Sequence, residues 1–455
     1  MKVLFLTPLP PTRTGVAHYS SMLIPALRRH VEVDVVDGQR PTANGERIYQ
    51  LGNNPHHAWI YEEAMRVPGV AVLHDVVLHH LIVEMTLAKG DVEGYVEALR
   101  ANHGEAGAAW ARGRAAGLHS EMGNFLMPAS VEVANRSRAV IVHNHWAADR
   151  LRSLGVATPI HVVGHPYDPQ PDARARRDEI RQRHGFSPAD RVIGLFGFLT
   201  SAKRAEVVLA AFAAAQAREP RLRLLIVGEA APNIDVATSG YVEEEDFAAY
   251  FAAVDRLVNL RYPSAGETSG TLIRAFQAGK PVAVSDYAQF AELPDNCAVK
   301  IPFGDHEVEQ LADFFVRELA DPSVAQHGWL EENANIEKTL EGYVAALNVG
   351  RASARRDGLK PVLHEIPLFP QLEATLRSGR IVIRNAGDFT LRTRTYGQPG
   401  YRLIVNGKWL ELPCDLAPAE ETDIPAPEGK RIRLVHGIQG IPVIDETPFA
   451  TLELP

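Results

Sequence analysis

The chain is poor in cysteine. Cys297 and Cys414 are the only two, far apart and in no metal-type spacing. That excludes a disulfide scaffold and a cysteine-based zinc site, and it suits a reducing compartment. Long apolar runs are missing too: no stretch of about 18 apolar residues occurs, so no membrane span is expected. The apolar opening at 1–6 is interrupted by Pro8, Pro10 and Pro11, too soon for the core of a secretory signal. Nor is there an excess of positive charge. With 47 basic and 56 acidic residues the net charge is −9, which argues against a general nucleic-acid binder. What the chain does have is 46% hydrophobic residues over 455 positions, enough for sizeable cores in about three domains. A cytoplasmic protein is expected.

Apolar runs bounded by glycine and proline alternate with helical spacing through most of the chain. Residues 2–6, 31–36, 47–51, 69–73, 139–142 and 160–163 read as buried parallel strands, with helices at 16–29 and around 57–65. An Ala- and Arg-rich stretch at 91–118 reads as a helix or helical hairpin with a solvated arginine face. Residues 166–190 are polar and read as a connection with one short helix. A second alternating series follows, with strands at 191–198, 222–227, 237–242, 256–259, 282–285 and 297–301, and helices at 203–217, 269–278, 307–319 and 336–347. From about residue 361 helical spacing gives way to short strands at 380–384, 391–395, 402–405, 431–435 and 451–454. The expected division is 1–165 and 166–350 as two Rossmann-like domains, and 361–455 as an all-β sandwich.

The segment Arg261-Tyr262-Pro263-Ser264-Ala265-Gly266-Glu267-Thr268-Ser269-Gly270 stands out, because strand and helix signals do not require Gly-Glu-Thr-Ser-Gly. A carboxylate beside a helix start, with free backbone N–H groups, suits a phosphate or sugar hydroxyls; an N-capping Ser or Thr with a solvated Glu fits equally. Gly15 marks either a close backbone approach or a positive-φ turn. His74 falls just past a strand's carboxyl end, where ligands bind in open α/β sheets, or else it merely precedes Asp75 as a helix cap. His56, His57, His79 and His80 lack a carboxylate at metal spacing, so no metal site is expected.

Taken in order, four segments resemble the GT-B glycosyltransferases, and specifically the retaining family-4 group, over residues 1 to about 350. Pro10-Pro11-Thr12-Arg13-Thr14-Gly15 is similar to the family's Gly-rich first loop, and Leu73-His74-Asp75 to the loop that sets a histidine near the transferred sugar. Gly197 through Lys203 and Arg204 resembles the segment gripping the donor diphosphate, and 263–282 the carboxylate-bearing donor loop and helix. Two departures stand out: Phe198 where the family carries an arginine, and Arg274 where it carries a ribose-holding glutamate.

The resemblance implies two lobes facing across a cleft and sugar transfer from a nucleotide-diphosphate donor to a glycan, lipid-linked or small-molecule acceptor. It implies no metal or other cofactor. Lys203 and Arg204 would hold the diphosphate, with Gly197 and the N–H groups of Thr268, Ser269 and Gly270. Glu267 would orient the sugar, His74 would line it, and Gly15 would admit it. Tyr241 and Val242 would hold the base through backbone groups, and Arg274 either takes part or pairs with Glu267 or Glu292. The β module is similar to immunoglobulin-like modules beside bacterial polysaccharide machinery through Arg384-Asn385-Ala386-Gly387-Asp388 and Leu412-Pro413-Cys414-Asp415-Leu416-Ala417-Pro418, and its Trp409 and Tyr401 either stack on a sugar or pack in the core. Glycan binding, partner docking and homo-oligomerisation are its open roles, and peripheral contact with the inner membrane face is compatible with the rest. A catalytically silent sugar-binding protein on the same scaffold is the alternative, favoured by Phe198 and Arg274. A GT-B epimerase or phosphorylase is a third.

Overall fold

The structure is a computed structural model. It describes residues 1–12, 14–38, 41, 43–117, 121–167, 169, 172–197, 201–229, 236–304, 306–349, 372–378, 380–386, 391, 399–405, 408–417, 419–425, 431–438 and 448–453. Phe198 and the strand expected at 392–395 lie outside the described residues.

Six strands form the first sheet: β1 (Lys2–Leu6), β2 (Glu32–Val36), β3 (Glu46–Leu51), β4 (Val70–Leu73), β5 (Ala139–Val142) and β6 (Ile160–Val162). They run parallel in the order β2-β1-β3-β4-β5-β6. The sequences Val-Ala-Val-Leu in β4 and Ala-Val-Ile-Val in β5 are buried at every position, as strands covered on both faces require. A second six-stranded parallel sheet follows, made of β7 (Arg191–Phe196), β8 (Leu222–Val227), β9 (Ala237–Thr238), β10 (Arg256–Asn259), β11 (Val282–Ser285) and β12 (Val299–Ile301). Its order is β12-β11-β10-β7-β8-β9. In both sheets the first strand of the series sits inside the order, so the chain reverses direction across the sheet and opens a crevice at the carboxyl edge.

Each sheet has a separate apolar cluster on each face. The helix Ile336–Leu347 follows the second sheet in sequence but packs on the first, with Leu340, Tyr343, Ala346 and Leu347 joining the cluster around Val3, Phe5 and Ile141. The Tyr343 hydroxyl lies 2.8 Å from that of Tyr19, on the helix Gly15–Leu27. The 91–118 stretch forms the helical run Val92–Ala115, broken at Gly104 by a φ of 66°. The strand expected at 237–242 stops at Thr238, because Gly240 takes a φ of +67°.

Beyond residue 371 the described strands are antiparallel. β13 (Leu372–Arg377), β14 (Arg380–Asn385) and β17 (Glu421–Pro425) make one sheet in the order β13-β14-β17. β15 (Pro399–Val405), β16 (Lys408–Glu411), β18 (Arg431–Ile438) and β19 (Pro448–Glu453) make another in the order β16-β15-β18-β19.

Candidate functional site

β7 ends at Phe196, and Gly197 turns the chain with a φ of +84°. A Cβ at Gly197 would lie 2.5 Å from the Lys203 Nζ, so glycine makes room for the lysine. Lys203 is buried, and its ammonium donates to the Phe196 carbonyl at 2.6 Å. Burial and the Arg261 guanidinium bring its pKa down to about 7, against the opposing pull of Glu267. Lys203, Arg261 and Glu267 therefore lie within electrostatic reach of one another.

β10 delivers the other two charges. The Arg261 N–H donates to Ser285 Oγ at 3.0 Å, fixing the residue at the ends of β10 and β11, and its Nε donates to Glu267 Oε1 at 2.9 Å. Glu267 Oε2 accepts from the Ala265 N–H at 2.9 Å, and its own carbonyl accepts from Gln289 Nε2 at 2.9 Å. Ser269 then caps the helix Gly270–Gln277: its Oγ accepts from the Leu272 N–H at 3.2 Å and from Asn259 Nδ2 at 3.0 Å. Gly270 is exposed, and a Cβ there would touch nothing. The result is two cations, an oriented carboxylate and a helix N-terminus at one sheet edge, a setting suited to a polyanion with hydroxyls attached.

The first lobe meets this loop directly. The Val76 N–H donates to the Ala265 carbonyl at 2.7 Å, and Asn144 Nδ2 donates to the Gly266 carbonyl at 2.9 Å. Gly266 has a φ of +77°, and a Cβ there would come within 3.0 Å of both Trp146 and Val76. From the second lobe, the Glu292 carboxylate accepts from the N–H groups of His145 and Trp146, at the start of the helix His145–Ser153. Between the lobes lies a cavity of 640 Å³, lined by His143, Asn144, Thr268, Ser269, Gln289 and Glu292 among others.

Residues 190–321 match the model for the family described as glycosyl transferases group 1. A curated relative, D-inositol 3-phosphate glycosyltransferase of Segniliparus rotundus, is 26% identical over 323 residues, 66% of this chain; the match spans 65% of that relative's length. Anabaena HepE in complex with UDP and glucose superposes with a TM-score of 0.51 at 15% identity, covering 76% of this chain and 99% of that one. Its complex with UDP-glucose, over the same shares of each chain and at the same identity, gives 0.50. The fold is that of the GT-B glycosyltransferases.

On this GT-B frame several expected residues fall elsewhere than their sequence neighbours implied. Arg204 does not stand beside Lys203 as a second free cation. It takes a φ of 56° and turns inward, where its wholly buried guanidinium pairs with the Glu307 carboxylate. Arg274 reaches neither Glu267 nor Glu292; it lies 4.8 Å from the Phe247 ring and lines a separate cavity with Gln277, Lys280 and Asp321. Glu267 is paired by Arg261 instead.

His74 is buried, with Nε2 2.6 Å from Gln50 Oε1 and Nδ1 3.3 Å from His143 Nε2, so both ring nitrogens are engaged inside the first lobe. Gly15 opens its helix without a positive φ, which removes the turn reading; a Cβ there would meet nothing. Tyr241 is 46% exposed, and Val242 packs against the second lobe's core beside it.

Two residues were missed as site candidates. Arg261 lies two residues past the end of the buried strand β10, where ligands meet open α/β sheets, which is the available signal. For Asp75 the sequence offers a helix cap only as the alternative to a ligand-lining His74. Its Oδ2 accepts from the Asn53 N–H at 2.8 Å, and burial together with Glu267 raises its pKa to about 7.

Among the described residues no helix is long and apolar enough to cross a membrane, and no His, Cys, Asp and Glu group is arranged to hold a metal ion.

Proposed function

We propose that this chain is a retaining glycosyltransferase that moves a sugar from a nucleotide-diphosphate donor to a glycan, lipid or small-molecule acceptor, in bacterial polysaccharide or glycoconjugate synthesis. The observation that carries the reading is the meeting of Lys203, Arg261 and Glu267 beside the start of the Gly270–Gln277 helix. Departure of a diphosphate develops negative charge, and preformed cations and N–H groups stabilise it without reorganising. Lys203 and Arg261 face that charge, Gly197 leaves room for Lys203, and Glu267 orients sugar hydroxyls. Transfer with retention proceeds by front-face attack. No metal ion or other cofactor is required in this scheme.

His74 stiffens the wall beside the sugar. Tyr241 and Val242 hold the base through backbone groups, and Thr268, Ser269 and Gly270 present N–H groups to the phosphates. The β module is immunoglobulin-like and serves glycan or partner binding, and the enzyme works in the cytoplasm, at or near the inner membrane face. The silent sugar-binding alternative has one observation in its favour: Arg274, at the position where the resemblance expects a ribose-holding glutamate, sits over the Phe247 ring.

The test is a thermal-shift panel of UDP, GDP and dTDP with their sugars, since ligands of the native state raise the melting point by mass action. It is followed by an assay of nucleoside-diphosphate release. Release that vanishes in Lys203→Ala and Glu267→Ala, with the fold intact, is expected. Glycan binding without turnover across all donors would favour the silent reading.

A further inference from the structure

We propose that the turn at 288–292 couples closure of the two lobes to the setting of Glu267: Glu292 is the latch that closure engages, and Gln289 is the positioning residue that passes it to the loop carrying Glu267. The proposal rests on the glycosyl-transfer reading above and adds the device that readies that site for a bound donor.

The segment follows β11 and closes on itself. The Ala291 N–H donates to the Ala288 carbonyl at 3.1 Å, and the Leu293 N–H donates to the Phe290 carbonyl at 3.2 Å, so the two successive turns move as one piece. They begin at Ala288, whose φ of +52° an alanine keeps only where its surroundings impose it. Gln289 is buried, and both ends of its amide are used. Its Oε1 accepts from Ser264 Oγ at 2.7 Å, and its Nε2 donates to the Glu267 carbonyl at 2.9 Å. One side chain therefore braces the loop at Ser264 and at Glu267, while Arg261 and the Ala265 N–H hold the Glu267 carboxylate.

Glu292, on the same turn, faces the other lobe. Its carboxylate accepts from the N–H groups of His145 and Trp146, and Asn144 Oδ1 accepts from the Ala147 N–H at 2.8 Å. The first three N–H groups of the helix His145–Ser153 are thus satisfied, two of them from across the crevice, and the carboxylate also gains from the positive end of that helix. Tyr287 reinforces the contact, its ring 6.3 Å from that of Trp146. Gln289, Glu292, Asn144 and His145 all line the interlobe cavity. Val76 and Asn144 hold the carbonyls of Ala265 and Gly266 directly, but the Glu267 carbonyl is held by Gln289. Opening the lobes strips the acceptors from His145 and Trp146 and releases the turn; closing them clamps the turn and, through Gln289, fixes Glu267. A ligand that needs Glu267 in place then favours the closed lobes, and the closed lobes favour that ligand by the same factor.

The test uses the full chain with UDP-glucose, GDP-mannose and dTDP-glucose as donors and alkyl glycosides as acceptors. Gln289→Met keeps the bulk and removes both hydrogen bonds. Glu292→Ala removes the latch at an exposed position and is expected to fold. Each should lower kcat/KM for transfer about tenfold, the worth of one or two hydrogen bonds, with UDP affinity by calorimetry unchanged. The double variant should be no slower than the slower single one, whereas independent roles would multiply to about 100-fold. Glu292→Gln, which keeps an acceptor and loses the charge, should recover part of the rate. Hydrogen exchange supplies a readout that a merely structural role would not move. In the wild type a saturating donor should protect the peptide carrying the His145 and Trp146 amides, and in Gln289→Met the same donor at saturation should not. Losses that multiply, or an equal gain of protection in Gln289→Met, would overturn the coupling and leave the transfer reading standing. Should Gln289→Met fail to fold, Glu292→Ala decides: transfer by it at the wild-type rate would overturn the coupling. Wild-type protein that transfers from none of the three donors would overturn the glycosyl-transfer reading and the coupling together.

Discussion

The Arg204 guanidinium and the Glu307 carboxylate form an ion pair with no exposure on either side chain, Nε to Oε1 at 2.9 Å. The guanidinium also lies 5.1 Å from the Phe303 ring centre. A pair this deep binds the start of the helix Ala205–Gln216 to the start of the helix Glu307–Val316, and it leaves Arg204 no freedom to meet a ligand. Removing one partner strands the other in the interior, at a typical cost of about 3–5 kcal/mol, whereas replacing both with apolar groups is often near neutral. Glu307→Ala is therefore expected to destabilise severely in urea titration. The double variant Arg204→Met with Glu307→Leu should regain most of that loss and bind nucleoside diphosphates as the wild type does. A stable double variant with no diphosphate affinity would return Arg204 to the binding site.

Lys203 carries a pH signature. With its pKa lowered to about 7 by burial and Arg261, it is largely neutral at pH 8 in the unliganded protein. A diphosphate favours the ammonium, so binding at pH 8 must draw in a proton. Affinity is expected to weaken about tenfold per pH unit above 7 and to level off below it, the slope of one linked proton. Calorimetry in buffers of different ionisation enthalpy reads that uptake directly. Lys203→Met should bind more weakly and lose the uptake; uptake that persists in this variant would place the linked proton on another group.

Both α/β lobes were legible because their strands are short, continuous apolar runs closed by glycine or proline. Arg256–Asn259, Val282–Ser285 and Ala139–Val142 lie where the pattern placed them. What escaped the sequence was the direction of side chains whose partners are remote. Lys203 and Arg204 are neighbours, yet the left-handed backbone at Arg204 sends one to Phe196 and the other to Glu307, 103 positions away. Asp75 admits the cap reading because its actual partner, Asn53, precedes it on another strand's loop. Tyr343 belongs to the first lobe although it follows the second, and its hydrogen bond to Tyr19 spans 324 positions. No local pattern encodes such pairs.

Gly266 joins the loop that carries Glu267 to the first lobe. Its φ of +77° disfavours any side chain by roughly 1–2 kcal/mol, and a methyl there would press on Trp146 and Val76 at 3.0 Å. Gly266→Ala should lower the melting temperature modestly and reduce transfer more than it weakens UDP binding, because Lys203 and Arg261 stay in place while the lobes are wedged apart. UDP affinity falling in parallel with transfer would instead mean that the loop itself has collapsed.

The first lobe should be the acid-sensitive half. His57, His74, His79, His103 and His143 are all buried there, and burial depresses every one: His57 and His143 to about 4, His79 and His103 to about 3, and His74 well below its ordinary value. Groups depressed in the folded state give stability that is complete above their unfolded pKa, near 6.5, and is lost as pH falls toward the folded values. Each such histidine contributes a slope of up to about 1.4 kcal/mol per pH unit, and five acting together approach the whole stability of a typical domain within about two units. Of the second-lobe histidines, only His184 is depressed by burial, and it is half-exposed. Hydrogen exchange read peptide by peptide should therefore show β3, β4 and β5 losing protection between pH 6.5 and 5 while β7, β8 and β10 keep theirs. Simultaneous loss in both lobes would mean that the interlobe contacts, Val76 to Ala265 and Glu292 to the His145–Ser153 helix, couple the halves into one unfolding unit.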